Sequence, residues 1–431
     1  MHLLDLAYDA IVTAARPVVE LSARGERAQR AVAGRRQSLA RFRHWADESR
    51  DTRLPLVWVH SPSVGEALMA GAIIAALRES ADVQVAFTIF SPSAERVADR
   101  VGADVHAYLP WDTRRETGNA LAILEPSVIA FVRTEIWPSL VLEAKSRRAR
   151  SVLVNAPLAE SSSRLRPLVR PLLGVAYKRL DAIGVVSLED VDRFARLGVP
   201  RERIQVTGDA RFDQVIERVA RIDRLAPLLR RLAADPRPAI VAGSTWPADE
   251  DMLVAASPAL LQAGVRLILA PHEPTDEHLS RLERVLDAAG ISHARLAAVE
   301  SDPALTPDAV VIDRVGALAD IYAVGRLAWV GGGFGSTGLH SVIEPAALGV
   351  PVMFGPAHGN AREAAALVAA GGGAVISKAE DIGDVVRAWL AADGPGRAAA
   401  EFVVSRAGGA ERNARIILDF LPVDARRAGR P

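Results

Sequence analysis

No cysteine occurs anywhere in the 431 residues. Disulfides, thiolate metal sites and cysteine nucleophiles are excluded, and the composition agrees with a reducing compartment, the cytoplasm. An excess of charge of either sign is also missing. Lys+Arg and Asp+Glu both number 52, so no global field argues for wrapping nucleic acid, and any basic patch must be local. The nine histidines form no HExxH pattern and there is no P-loop, so neither a helical zinc site nor a Walker ATPase is indicated, and no metal is expected. Finally, no apolar run reaches the roughly 18 residues that a membrane span requires. What is present is length, enough for two α/β domains of about 200 residues, each with its own core.

The first 43 residues form a segment apart. HLLDLAYDAIVTAARPVVELS is apolar but interrupted by Asp5, Asp9, Arg16 and Glu20. Leu4, Tyr8, Ile11, Ala15 and Val18 fall on one helical face, and arginines crowd the stretch through Arg43. Two readings fit this pattern: a helix lying at an anionic membrane surface, or an amphipathic helix packed on its own domain. A signal peptide is disfavoured, because no compact positive region precedes the apolar stretch and no small-residue cleavage site follows it.

Beyond it, short β-branched runs alternate with helical patterns: LVWVH (56–60), VQVAFTI (83–89), SVIAFV (127–132), SVLVN (151–155), AIGVVS (182–187) and RIQVTG (203–208). This is the rhythm of a parallel sheet covered on both faces. It pauses over the charged residues 214–236 and resumes with AIVAGS (239–244), VRLILAP (265–271), AVVID (309–313), LAWVGG (327–332), VPVMFG (350–355) and AVIS (374–377). The expected organisation is a basic amphipathic helical segment (1–43), a Rossmann-like acceptor domain (44–213), a linker (214–236), a Rossmann-like donor domain (237–422) and a frayed tail (423–431). Two doubly wound domains facing each other make a cleft, and in such sheets ligands bind beyond the carboxyl ends of the strands.

Gly333, Gly335 and Gly338 in GGGFGSTG follow the run LAWV and satisfy GxGxxG, a weak signal alone. A helix beginning near His340 places Glu344 one turn inside it. That context favours a sugar nucleotide over NAD, with backbone N–H groups for phosphate and a carboxylate for ribose hydroxyls; the lesser alternative is a plain tight turn with Glu344 merely in a helix. In the first half, Gly65 and Glu66 open a helix after HSPSV. Glu66 either complements the helix dipole or removes a proton from an acceptor hydroxyl. Arg133, Glu135 and Trp137 admit a structural ion pair with a core aromatic, Asn155 and Asn360 could cap helices, and His60 reads as a satisfied strand-end histidine.

The ordered series HSPSVGE, FTIFSPSAERV, YLPWD, RTEIWPS, VNAPLAESS, VTGDARFDQ, VAGSTWPADEDM, LILAPHEP, IDRVGALADIY, WVGGGFGSTGLHSVIEPAALGVPVMFGP and GNARE resembles that of the 3-deoxy-D-manno-octulosonic acid (Kdo) transferases over about residues 55–380. The resemblance implies an α/β fold of GT-B type. It also implies CMP-Kdo as co-substrate with no further cofactor, a lipid A precursor as acceptor in lipopolysaccharide synthesis, and inversion without a metal. Residue by residue, it places the general base on Glu66 and the cation that steadies the leaving phosphate on Arg211, with Arg133 and Glu135 beside them. The CMP pocket falls on Ser244 and Thr245, on His272 and Glu273, on Val315, Gly316 and Ala317, and on Ser341, Val342, Ile343 and Glu344. A peripheral place on the cytoplasmic face of the inner membrane follows, with no nucleic-acid partner.

The chain departs from many family members in four places. His272-Glu273 replaces Arg-His, Val315-Gly316-Ala317 replaces Met-Gly-Glu, Arg133 stands where an acid is common, and the N-terminal anchor is weakened. Two alternatives remain at this stage: another two-Rossmann enzyme such as a sugar-nucleotide epimerase, or a catalytically silent, membrane-associated nucleotide-sugar binder.

Overall fold

The computed structural model describes residues 3–427 except residue 168. Met1 and His2 of the expected N-terminal segment, and residues 428–431 of the expected tail, lie outside the described residues. Two helices come first, α1 (Leu3–Ser22) and α2 (Glu26–Ser49), separated at Gly25, whose φ of 81° suits glycine. Every apolar run noted above becomes a strand. In the first half these are β1 (Leu56–Ser61), β2 (Gln84–Ile89), β3 (Val105–Tyr108), β4 (Val128–Val132), β5 (Arg150–Ala156), β6 (Ala182–Val185) and β7 (Ile204–Val206). They pair in the order β3-β2-β1-β4-β5-β6-β7, parallel throughout. In the second half, β8 (Ala239–Thr245), β9 (Arg266–Pro271), β10 (His293–Arg295), β11 (Ala309–Val311), β12 (Leu327–Val330), β13 (Val352–Phe354) and β14 (Gly373–Val375) run β10-β11-β9-β8-β12-β13-β14, again parallel.

The added strands β3 and β10 lie at the sheet edges, where His106, His293 and Arg295 of VHAY and HAR are only partly buried. Central strands show the opposite character, with all six residues of β1 buried. Strand order reverses between β1 and β4 in the first sheet and between β8 and β12 in the second, which opens a crevice at the carboxyl ends of those strands.

The chain divides into two compact units, one reaching Gln214 and resuming at Ala407, the other Val215–Arg406. This departs from the expected boundaries. Residues 407–422, assigned to the donor domain by their position in the sequence, lie with the first unit, where helix Gly409–Leu418 packs on the helix after β1, α3 (Val64–Ser80). Ala410, Ala414, Ile416 and Ile417 complete the core beneath α3. Burial of an apolar stripe, not chain position, decides which body a helix joins. The stretch 215–236, expected as a linker, falls in the second unit. The expected fraying does not extend to 423–427: Val423–Ala425 form a turn, Arg426 bridges Ala81, and the Arg427 N–H donates to the Ser80 carbonyl at 2.9 Å.

Of the two readings of the N-terminal helix, packing by its apolar stripe is not what the structure shows: α1 sits on its unit by its polar side. Asp5 accepts two 2.7 Å hydrogen bonds from Arg179, Asp9 accepts from the Arg114 N–H at 2.7 Å, and Arg16 pairs with Glu116 at 2.9 Å. Glu20 pairs with Arg36 at 2.6 Å, and Tyr8 donates to Asp112. The apolar side chains point away, with Leu3, Ile11, Val18 and Leu21 exposed by 85, 67, 64 and 88%.

Candidate active site

Glu66 lies in the first turn of α3, just past the end of β1. Its Oε2 is shielded from solvent and accepts no hydrogen bond from any described residue. A carboxylate oxygen so placed is costly unless a donor comes to it. Across the strand reversal, the loop after β4 carries Arg133, Glu135 and Trp137. Burial pushes the Glu135 carboxyl above the ordinary range; Arg164 opposes the shift and the nearby charge of Glu66 adds to it. Glu135 therefore holds a proton more readily than an ordinary glutamate at the crevice.

That loop is held from beneath. Arg133 adopts a left-handed φ of 76° while its N–H donates to the Val154 carbonyl at 3.0 Å, a conformation costing on the order of 1 kcal/mol or more for a side chain with a Cβ. Tyr177 donates its hydroxyl to the Thr134 carbonyl and accepts from Arg164 at 3.1 Å. Trp137 is half-buried, stacks on Phe90 at 5.1 Å and donates Nε1–H to His60 Nε2 at 3.0 Å. It packs at the margin of the core, and Glu135 makes no ion pair among the described residues. His60 is satisfied on both nitrogens: Nε2 accepts from Trp137, which leaves Nδ1–H to donate to Thr88 Oγ1 at 3.0 Å. Complete burial pushes its pKa down to about 3, with the Arg35 charge adding to the shift and Thr88 opposing it.

Arg211 stands at the start of helix Ala210–Ala220, after β7. Its guanidinium meets the buried Asp209 carboxylate at 2.8 Å. Burial pushes Asp209 up, but Arg211 and then Arg133 outweigh it and hold the acid below its ordinary value. Asn155, expected as a helix cap, does serve this helix: its Oδ1 accepts from the Ala210 N–H at 2.9 Å, its φ is 53°, and its own N–H donates to Asn413 Oδ1 at 2.7 Å. Asn413 also accepts from Thr207 at 3.0 Å. Sequence reasoning missed Asn413, since nothing local marks a partner 258 residues away from Asn155.

In the second unit, the predicted pocket residues gather at the carboxyl ends of β8, β9, β11 and β12 but do not all face outward. Ser244 takes a φ of 52° and stays half-buried. Thr245 does not present its side chain as expected: it is fully buried and donates to Glu250 Oε1 at 2.9 Å, in a network where Glu250 also meets His278 at 2.8 Å and Arg281 at 3.0 Å. Val342 and Ile343 are likewise fully buried, leaving only their backbone to a ligand. His272 and Glu273 are exposed, and the loop of Val315, Gly316 and Ala317 is open, with Val315 74% exposed. The His272 ring lies 5.1 Å from Trp246 and 4.4 Å from His340, a stack of three rings across the reversal; burial, then His272, lowers the His340 pKa.

The glycine run separates into two kinds of residue. A Cβ on Gly333 would lie 2.5 Å from the Gly355 nitrogen, and Gly338 takes a φ of 82° against Asn360, so both answer to packing. Asn360 is no helix cap. Its amide clamps the Leu339 peptide with two 2.9 Å hydrogen bonds. Gly335 has ample room. Glu344 is half-buried, but its helix begins only at Ile343 and ends at Ala347, so it is the second helical residue rather than one turn in from His340. Its charge, after burial, raises the Tyr322 phenol. Among the described residues no cluster of three His, Asp or Glu side chains is gathered as a metal site, and no helix is long and apolar enough to cross a membrane.

The family described as 3-Deoxy-D-manno-octulosonic-acid transferase (kdotransferase) has a profile that matches residues 34–214. Residues 34–214 match the Kdo transferase domain of that family. The matched span contains Glu66, Arg133, Glu135 and Arg211. Relatives extend the likeness beyond it. A 3-deoxy-D-manno-octulosonic acid transferase of Chlamydia muridarum is 29% identical over 70% of this chain and 70% of its own. Proteins of the same name from Haemophilus influenzae and Bordetella pertussis are 27% and 29% identical, covering 69% and 74% of this chain and 70% and 75% of theirs. The chain is accordingly an enzyme of the glycosyltransferase class. Among solved structures, the UDP-GlcNAc 2-epimerase of Neisseria meningitidis superposes with a TM-score of 0.58 at 13% identity, over 85% of this chain and 99% of that one. A glycosyltransferase of Rickettsia africae gives 0.55 at 10% identity, over 85% and 97%. At such identities these likenesses show the fold, two doubly wound bodies of GT-B type.

Proposed function

We propose that this enzyme transfers Kdo from CMP-Kdo to a sugar hydroxyl of a lipid A precursor, with inversion and without a metal. The observation that carries the reading is Glu66, a carboxylate inside the matched family domain whose shielded Oε2 lacks a donor. An acceptor hydroxyl supplies that donor, and its proton passes to Glu66 as the oxygen attacks the anomeric carbon and the bond to CMP breaks. Arg211, paired with Asp209, brings its positive charge to the departing phosphate. The epimerase likeness is one of fold and carries no activity. Incubating the enzyme with CMP-Kdo and a lipid A precursor should yield an acceptor heavier by a Kdo residue in the mass spectrum; an unmodified acceptor would refute the assignment.

In the second unit Glu344 is assigned to the ribose hydroxyls. Glu344→Ala should then weaken CMP by about 1–3 kcal/mol, the scale of a lost charged hydrogen-bond partner, and calorimetry giving wild-type affinity would remove Glu344 from the pocket.

The membrane reading rests on α1. Its ionic underside is consumed by the protein, while its apolar side faces outward, and α2 adds exposed arginines such as Arg27 and Arg43. Such a face suits the boundary of an anionic leaflet on the cytoplasmic side of the inner membrane. Removing residues 1–22 should release the protein from phosphatidylglycerol vesicles, and raised salt should loosen the full-length protein in part. Full-length protein that ignores such vesicles at low salt would end this reading.

A further inference from the structure

Arg35 of α2 is a buried cation, 8% exposed, with no carboxylate within ion-pair distance among the described residues. Its guanidinium instead lies among rings, 4.1 Å from the Phe90 centroid, 5.5 Å from Trp111 and 5.8 Å from Tyr108. Two of its five donors are spent on carbonyls, that of Phe90 at 3.2 Å and that of Ala31 at 3.5 Å. Ring faces attract a cation weakly compared with the hydration it gives up on burial. The guanidinium therefore keeps donors that no described residue accepts. Independently, Trp111 Nε1–H is shielded from solvent and has no acceptor. A buried donor and a buried uncompensated charge, brought together from α2 and from the loops after β2 and β3, call for the same complement: an oxyanion.

The position gives that complement a use. The loop bearing Phe90 is tied to the one that leads into Glu66, because the Ser91 N–H donates to the Pro62 carbonyl at 2.8 Å. Phe90, 38% exposed, stacks in turn on Trp137, two residues beyond Glu135. We infer that Arg35 and Trp111 form an oxyanion subsite that takes a phosphate group of the acceptor's headgroup and so holds the reactive hydroxyl near Glu66. This rests on the transfer function proposed above for its purpose, though not for the binding of phosphate itself.

The test follows the Trp111 indole N–H resonance, identified by its disappearance in Trp111→Phe, in the full-length protein. Glucosamine 6-phosphate should move it downfield where glucosamine does not, and Arg35→Met should abolish the shift. Inorganic phosphate serves as a second probe and short-chain phosphatidate as a third; a response to the lipid alone would identify a lipid headgroup as the source, and a response to all three a free-standing phosphate site. In transfer assays Trp111→Phe, which keeps the ring, should raise the acceptor KM about tenfold with kcat and CMP affinity nearly unchanged. Should Arg35→Met fail to fold, Arg35→Lys provides the comparison: the lysine should retain part of the shift. An indole resonance indifferent to every phosphate probe, or a Trp111→Phe enzyme with a wild-type acceptor KM, would overturn the subsite. An intact indole shift in an enzyme that transfers no Kdo would instead sink the proposed reaction and leave the subsite standing.

Discussion

Glu66→Gln should lower kcat for sugar transfer by about 10²- to 10⁴-fold, the usual worth of a positioned general base, while CMP affinity and the folded state stay nearly unchanged. The amide keeps the shape of the side chain and removes its basicity. Donor binding is assigned to residues of the second unit, so the loss should appear in the chemical step and not in KM for the donor. The competing account, that Glu66 only complements the dipole of α3, makes a different claim: substitution would cost about 0.3 to 1 kcal/mol of stability and little activity. Structure already weighs on the choice, since a residue recruited only for the dipole has no need of an oxygen shielded from water and left without a donor. Thermal melts and single-turnover transfer on one variant separate the two. A folded Glu66→Gln enzyme with near-normal turnover would shift attention to Glu135, which burial has already made more basic than an ordinary glutamate.

Acid sensitivity supplies the second large effect. With its pKa lowered in the folded state to about 3 by burial, His60 binds its proton in the unfolded chain first. The stabilisation is therefore complete above the unfolded value near 6.5 and is lost as pH falls from there toward 3, at roughly 1.4 kcal/mol per pH unit. His60→Asn cannot titrate. Its unfolding free energy should fall less steeply across this window by about one proton's worth, although the variant starts from lower stability because Trp137 and Thr88 lose a partner. Asp112, raised to about 6 chiefly by burial, has the opposite sign and cancels because both proteins carry it. Parallel slopes for the two proteins in denaturant titrations between pH 6.5 and 4 would show that His60 contributes nothing to acid lability.

Period and composition alone determined a good deal. Runs such as LVWVH and LAWV are apolar without alternation because both faces of a parallel strand are buried, so strands and fold class were legible from the residues. The turns after those strands likewise held the named acids and glycines, since a doubly wound sheet places its ligand site there. Strand order was not legible. Parallel strands joined by helices give no local sign of their neighbours, so only the tertiary structure set β1 beside β4 and thereby Glu66 near the charge of Glu135.

Side-chain direction was hidden for the same reason. Thr245 and Glu344 look equally polar in the sequence, but one is spent on Glu250 in the core and the other remains half-buried at a helix start. Which side of the N-terminal helix meets its unit was open in the sequence, because the ion pairs of Asp5, Arg16 and Glu20 depend on Arg179, Glu116 and Arg36, partners that periodicity cannot see. Helix Gly409–Leu418 joined the first body through Asn413 and an apolar stripe matched to α3. Local pattern fixes what a segment is, because it depends on neighbours along the chain; what a segment touches depends on the burial of surfaces that the sequence keeps far apart.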